Sequence, residues 1–149
     1  MSLAMAATTF CAAAMLLATS VPTPAQSTDK DEKKEPKRPS LSLKATPGTG
    51  MVPVRVTATA EFKGGDDDYQ EYYCPTIEWD WGDGTTSQSS ADCPPHEPGK
   101  SEIRRRFTVE HVFRRPGNFR VAFRLKRHDK AVGSATTQIQ VRPGLPEGH

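Results

Sequence analysis

The stretch E-W-D-W-G-D-G, Glu78 to Gly84, sets three carboxylates and two tryptophans within seven positions. It reads either as the paired acids of an active site or as a core strand running into a turn. In an extended chain successive side chains point to opposite faces, so Ile77, Trp79 and Trp81 share one face and Glu78 and Asp80 take the other. Gly82-Asp83-Gly84 follows at once. Asp-Gly is a hairpin signal because the turn needs a positive φ that glycine tolerates freely. Thr85 to Ser90 then reads as a short return strand. The tryptophans belong to a core, and Asp83 in its tight turn most simply accepts local backbone N–H bonds.

The same period-two alternation runs outward from this stretch. Leu41-Ser42-Leu43-Lys44-Ala45 alternates, Pro47-Gly48-Thr49-Gly50 breaks the chain, and Val54, Val56, Ala58, Ala60 and Phe62 line one face of the run Val52 to Phe62. These read as two strands joined by a turn. Downstream, Phe107-Val109-His111-Phe113, Phe119-Val121-Phe123-Leu125 and Ala135-Thr137-Ile139-Val141 alternate with polar neighbours. A helical stripe is missing throughout. The pattern predicts an all-β chain folded as a β-sandwich. Strict alternation from Ile103 to Phe107 aims Arg105 inward, so a bulge near Arg104 to Arg106 is expected to re-aim it.

Three segments flank or interrupt this pattern. Residues 1–25 carry no charged side chain, and the apolar run Ala6 to Ala18 followed by Thr23-Pro24-Ala25 reads as an export signal cleaved after Ala25, although no Lys or Arg stands before the apolar run. The run is too short to span a membrane. Residues 26–39 mix both charge signs with proline and read as a disordered linker, and 144–149 as a flexible tail around the domain 40–143. Cys11 falls within the signal, leaving Cys74 and Cys93. In an oxidising compartment two such cysteines point to one disulfide, with two free thiols as the alternative.

W-D-W-G-D-G (79–84), H-V-F-R-R-P-G-N-F-R-V (111–121) and A-T-T-Q-I-Q-V (135–141) together resemble the PKD domain, the polycystic-kidney-disease repeat. The resemblance spans about Ser40 to Arg142 and rests on Trp79, Trp81, Gly82, Asp83, Gly84, His111, Phe113, Gly117, Phe119 and Val121, with Phe113 and Phe119 where tyrosine is more usual. It implies an immunoglobulin-like β-sandwich of about seven strands and a non-catalytic binding or spacer module that contacts a protein or polysaccharide, which the export signal would place as secreted, periplasmic or at the cell surface. It implies a packing and turn-fixing role for His111. The loops Lys63 to Pro75 and Ser90 to Ser101 are longer than that family's norm, and each holds one cysteine.

Catalysis finds little support. Glu78, Asp80 and Asp83 can be imagined as a glycosidase-type pair, but two lie on an outer strand face and the third in a turn. His96, His128 and His149 lack zinc-ligand spacing. Asp66-Asp67-Asp68 is a weak calcium candidate, with a solvated acidic loop as the plainer reading; no other cofactor is expected. Charge is uneven: from Glu61 to Gly99 ten acids face Lys63 alone, and from Lys100 to Lys130 eleven bases face three acids. Arg120, Arg124 and Lys126, with Arg104 or Arg106 joining, are expected to form a basic sheet face for an anionic partner, unless they pair with the acidic strand beside them. Tyr69, Tyr72 and Tyr73 form an aromatic loop that either binds a partner or packs over the tryptophan strand. Export and a net charge of only +2 argue against nucleic acid.

Overall fold

In the computed structural model of the protein the described residues are Ser20, Pro22 and 34–146. The export signal, most of the linker, Cys11 and His149 lie outside them. Eight strands follow in order: β1 (Ser40–Thr46), β2 (Thr49–Met51), β3 (Val54–Lys63), β4 (Thr76–Asp80), β5 (Thr86–Ser89), β6 (Arg106–Phe113), β7 (Gly117–Arg127) and β8 (Lys130–Arg142). One turn of 3-10 helix covers Gln70–Tyr72. Among the described residues no helix is long and apolar enough to cross a membrane.

The strands form two sheets, a three-stranded one in the order β1-β3-β6 and a five-stranded one in the order β2-β8-β7-β4-β5. This is the β-sandwich that the alternation predicts. Val56, Ala58, Ala60, Phe62, Phe107 and Phe113 from one sheet meet Ile77, Trp79, Val121, Phe123, Leu125, Ile139 and Val141 from the other, all buried. Burying one large apolar side chain contributes about 1.5–3 kcal/mol, so this shared interior is the main source of stability.

The eighth strand is β2, in the segment expected to be a plain turn. Pro47 and Pro53 lack the N–H that a ladder needs, so the chain leaves the first sheet between them. There Thr49–Met51 pairs parallel with β8 in the other sheet, and Gln140 N donates to the Gly48 carbonyl at 2.9 Å. A Cβ on Gly50 would stand 2.5 Å from Val54 Cγ2, which explains the glycine at this crossing.

Two further expectations need correction. β3 and β6 pair without a register shift, so no bulge occurs at Arg104 to Arg106; β6 instead begins at Arg106, leaving Arg105 before the strand. The irregularity lies between Leu125 and Lys126, where β7 meets β8. Nor does the ordered domain start at Ser40. Lys37 exchanges hydrogen bonds with Asp66, Arg38 Nε donates to the Tyr72 hydroxyl at 2.6 Å, and Pro39 is fully buried. Gly65 allows this docking, since a Cβ there would come within 2.4 Å of Pro39 N.

Candidate functional site

The motif residues converge at one end of the sandwich. Trp79 on the inner face of β4 and Trp81 just past its end have rings stacked 9° from parallel, and Trp81 stacks on His111 of the opposite sheet at 4.4 Å. Phe113 stands edge-on to both Trp81 and His111 and stacks on Phe119. Gly117 opens β7 and Val121 is buried beneath. Beyond β4, Gly82 and Gly84 adopt positive φ of 73° and 90°. A side chain at Gly82 would collide with the Arg120 backbone at 2.5 Å, so both conformation and close approach demand glycine there.

Asp83 ties this end together. Its Oδ1 accepts from Thr85 N at 3.0 Å and from the Thr85 hydroxyl, while Oδ2 accepts from His111 Nε2 at 2.7 Å. Arg115 donates to the Asp83 carbonyl at 3.1 Å. Burial alone would raise the Asp83 carboxyl, but the bonds from Thr85 and His111 outweigh it and hold the group below the usual aspartate range. The local N–H bond was legible from the turn. The His111 partner, 28 residues away and a side chain rather than loop backbone, was not.

The outer face of β4 is matched by β7. Glu78 faces Arg124 across the ladder; Arg124 Nη1 donates to Glu78 Oε1 at 2.9 Å and reaches Asp80 Oδ2 at 3.5 Å. Lys126 pairs with the other Glu78 oxygen. The Lys126 bond, then that of Arg124, lowers the Glu78 carboxyl against the opposing effect of desolvation. Asp80 Oδ1 also accepts from Gly82 N at 3.0 Å. The acidic and basic halves of the chain thus meet as cross-strand partners.

The expected single basic face is therefore divided. Arg106 lies on the other sheet, where it pairs with Glu61 at 3.1 Å, because the turn at 114–116 carries the chain from the three-stranded to the five-stranded sheet. Arg104 precedes β6; its guanidinium covers the Phe107 ring and its Nε donates to the Arg106 carbonyl. Arg120 alone of the five has no hydrogen-bond or ion-pair partner among the described residues and is exposed.

The long loops are pinned by side chains that the sequence left open. Cys74 and Cys93 form a disulfide with Cα atoms 6.2 Å apart. Tyr72 is buried and stacks on Phe62 at 4.8 Å, which removes it from any binding surface. Tyr69 packs edge-on to Tyr72, and the Tyr73 hydroxyl donates to the Pro94 carbonyl at 2.7 Å. The three aspartates separate: Asp66 bonds Lys37 N, Asp67 pairs with Arg105 and Asp68 accepts from Gly99 N at 2.7 Å. Among the described residues no group of three His, Cys, Asp or Glu side chains is placed to hold one metal ion.

The sequence model of the PKD domain matches residues 41–142, two thirds of the chain and the whole sandwich. The chain belongs to the PKD domain family. Domains of this family are generally non-enzymatic modules. Among solved structures the PKD fold here is similar to the PKD domain of an M14-like peptidase from Thermoplasmatales archaeon SCGC AB-540-F20, at 15% identity and TM-score 0.46, covering 70% of this chain and 97% of that one. A second similar structure is the CARDB domain of the PF1109 protein from Pyrococcus furiosus, in complex with di-metal ions, at 11% identity and TM-score 0.42, covering 72% and 90% of the two chains. No curated protein matches this PKD chain in sequence.

Proposed function

We propose that this PKD domain is a non-catalytic module that acts outside the cytoplasm by contacting a protein or a polysaccharide. The observation that carries this reading is the commitment of the acidic stretch to the fold. Glu78 is neutralised by Lys126 and Arg124, Asp80 holds the Gly82 amide, and Asp83 bonds Thr85 and His111. A hydrolase needs one carboxyl free to give or take a proton at a substrate, and none of these three is free. The Cys74–Cys93 disulfide supports an oxidising compartment, where such bonds persist.

Capture from the native envelope or culture medium, with the full chain as bait at low and high salt, tests the reading. A partner recovered reproducibly supports it. A hydrolytic activity that disappears in Glu78→Gln or Asp80→Asn with the melting temperature unchanged would replace it with an enzyme. Calcium-dependent adhesion separates by melting: with Asp66, Asp67 and Asp68 each bonded to a different protein group, added calcium is expected to leave Tm unchanged. A rise that vanishes on neutralising the three aspartates would establish it instead.

A further inference from the structure

The outer face of the five-stranded sheet changes character along its length. Around Glu78, Arg124 and Lys126 the polar groups satisfy one another. Two rungs nearer the Gly82 turn they do not. Asn118 faces Gln140 and Arg120 faces Gln138 across the β7–β8 ladder, and all four side chains are exposed with no hydrogen-bond partner among the described residues. Residues two apart on a strand stand roughly 7 Å apart and directly opposed ones about 5 Å, so these four form a small grid of planar hydrogen-bonding groups.

The grid borders a shallow hollow of ≈ 410 Å³, rimmed by Gly48. Gln140 N holds the Gly48 carbonyl at 2.9 Å, and at Gly48 a Cβ would meet nothing nearer than 4.0 Å, so the missing side chain leaves the rim low. Three amides supply paired donors and acceptors of the kind that match vicinal hydroxyls, since each carries an acceptor oxygen and two N–H donors. Arg120 is the one charge among them, and its guanidinium matches a carboxylate through two parallel N–H bonds.

We infer that this hollow is a subsite for a carboxylated sugar residue of an acidic polysaccharide, with Arg120 on the carboxylate and Asn118, Gln138 and Gln140 on the hydroxyls. The inference rests on the binding-module reading and names its ligand class. Charge complementarity selects this occupant: a neutral glycan leaves Arg120 unanswered, and a purely electrostatic polyanion site has no use for three neutral amides.

Affinity electrophoresis of the full chain in gels containing polygalacturonate, neutral dextran or dextran sulfate tests it. Retardation by polygalacturonate and not by dextran is expected. Arg120→Ala should weaken it at least about tenfold, the loss of hydrogen bonding to a charged group, and the pair Gln138→Ala/Gln140→Ala about tenfold, the loss of one or two neutral hydrogen bonds to hydroxyls, with Tm unchanged and Arg114→Ala without effect. Retardation by dextran sulfate alone, or polygalacturonate binding indifferent to Arg120→Ala, overturns the assignment. If envelope capture recovers a partner while polygalacturonate is not bound, the hollow is misassigned and the binding-module reading stands.

Discussion

Asp83 concentrates more of the fold's polar bonding than any other side chain in the acidic stretch. Replacing it with alanine leaves the Thr85 amide and the half-buried His111 ring without their acceptor, which should cost about 1–3 kcal/mol. Thermal unfolding of Asp83→Ala checks this directly. The pH dependence has a definite sign. The Asp83 carboxyl lies below its ordinary value of 3.8 in the folded state, so its contribution is complete above that pH and is lost as pH falls through the lower folded value. Glu78 behaves likewise below its ordinary 4.5. An Asp83→Asn variant should accordingly show a flatter acid limb in a plot of Tm against pH, while a parallel limb would contradict the assigned bonds. Trp81, stacked between Trp79 and His111, is the apolar counterpart, and Trp81→Ala should lose about 3–5 kcal/mol.

The elements themselves were largely legible. Period-two alternation located β1, β3, β4, β6, β7 and β8 because each half-buries a row of apolar side chains, and Asp83-Gly84 marked the turn before β5. What escaped was long-range. β2 is three residues long and is defined by a parallel partner some ninety positions away in the other sheet, so no local pattern announces it. Arg105 looked misplaced only because β6 was expected to begin earlier; Asp67 and the Gly64 carbonyl hold it at the sheet margin. The two long loops depend on their cross-link. Closing a loop of 19 residues contributes roughly 3 kcal/mol in the chain-entropy account, so a Cys74→Ser/Cys93→Ser variant is expected to melt lower and to be nicked within 90–101 by limited proteolysis. Unchanged protease resistance would show that Tyr73 and Asp68 suffice to hold those loops.

Over the whole molecule, the separation of charge along the sequence does not survive folding. Acids of 61–99 and bases of 100–130 are brought onto neighbouring strands, where Glu61 meets Arg106 and Glu78 meets Arg124. Such exposed or half-exposed pairs contribute little each, about 0–1 kcal/mol, and their larger effect is to remove most of the apparent basic face from consideration. Pairing across a sheet depends on register, which a single sequence leaves open; the motif residues were readable because their chemistry is local, whereas the availability of Arg120 emerged only once its neighbours were seen to be taken.

On the proposed binding-module reading, the acidic stretch 78–84 holds the sandwich together and performs no chemistry. Paired measurement of Tm and of reducing-end release from extracellular polysaccharide, on the full chain and on Asp80→Asn/Asp83→Asn, tests it most directly. A Tm lower by several degrees, at about 4 °C or more per kcal/mol for a small domain, with no hydrolysis by either protein, is the predicted result. An unchanged Tm together with a hydrolytic activity present in the native chain and absent from the variant would contradict it.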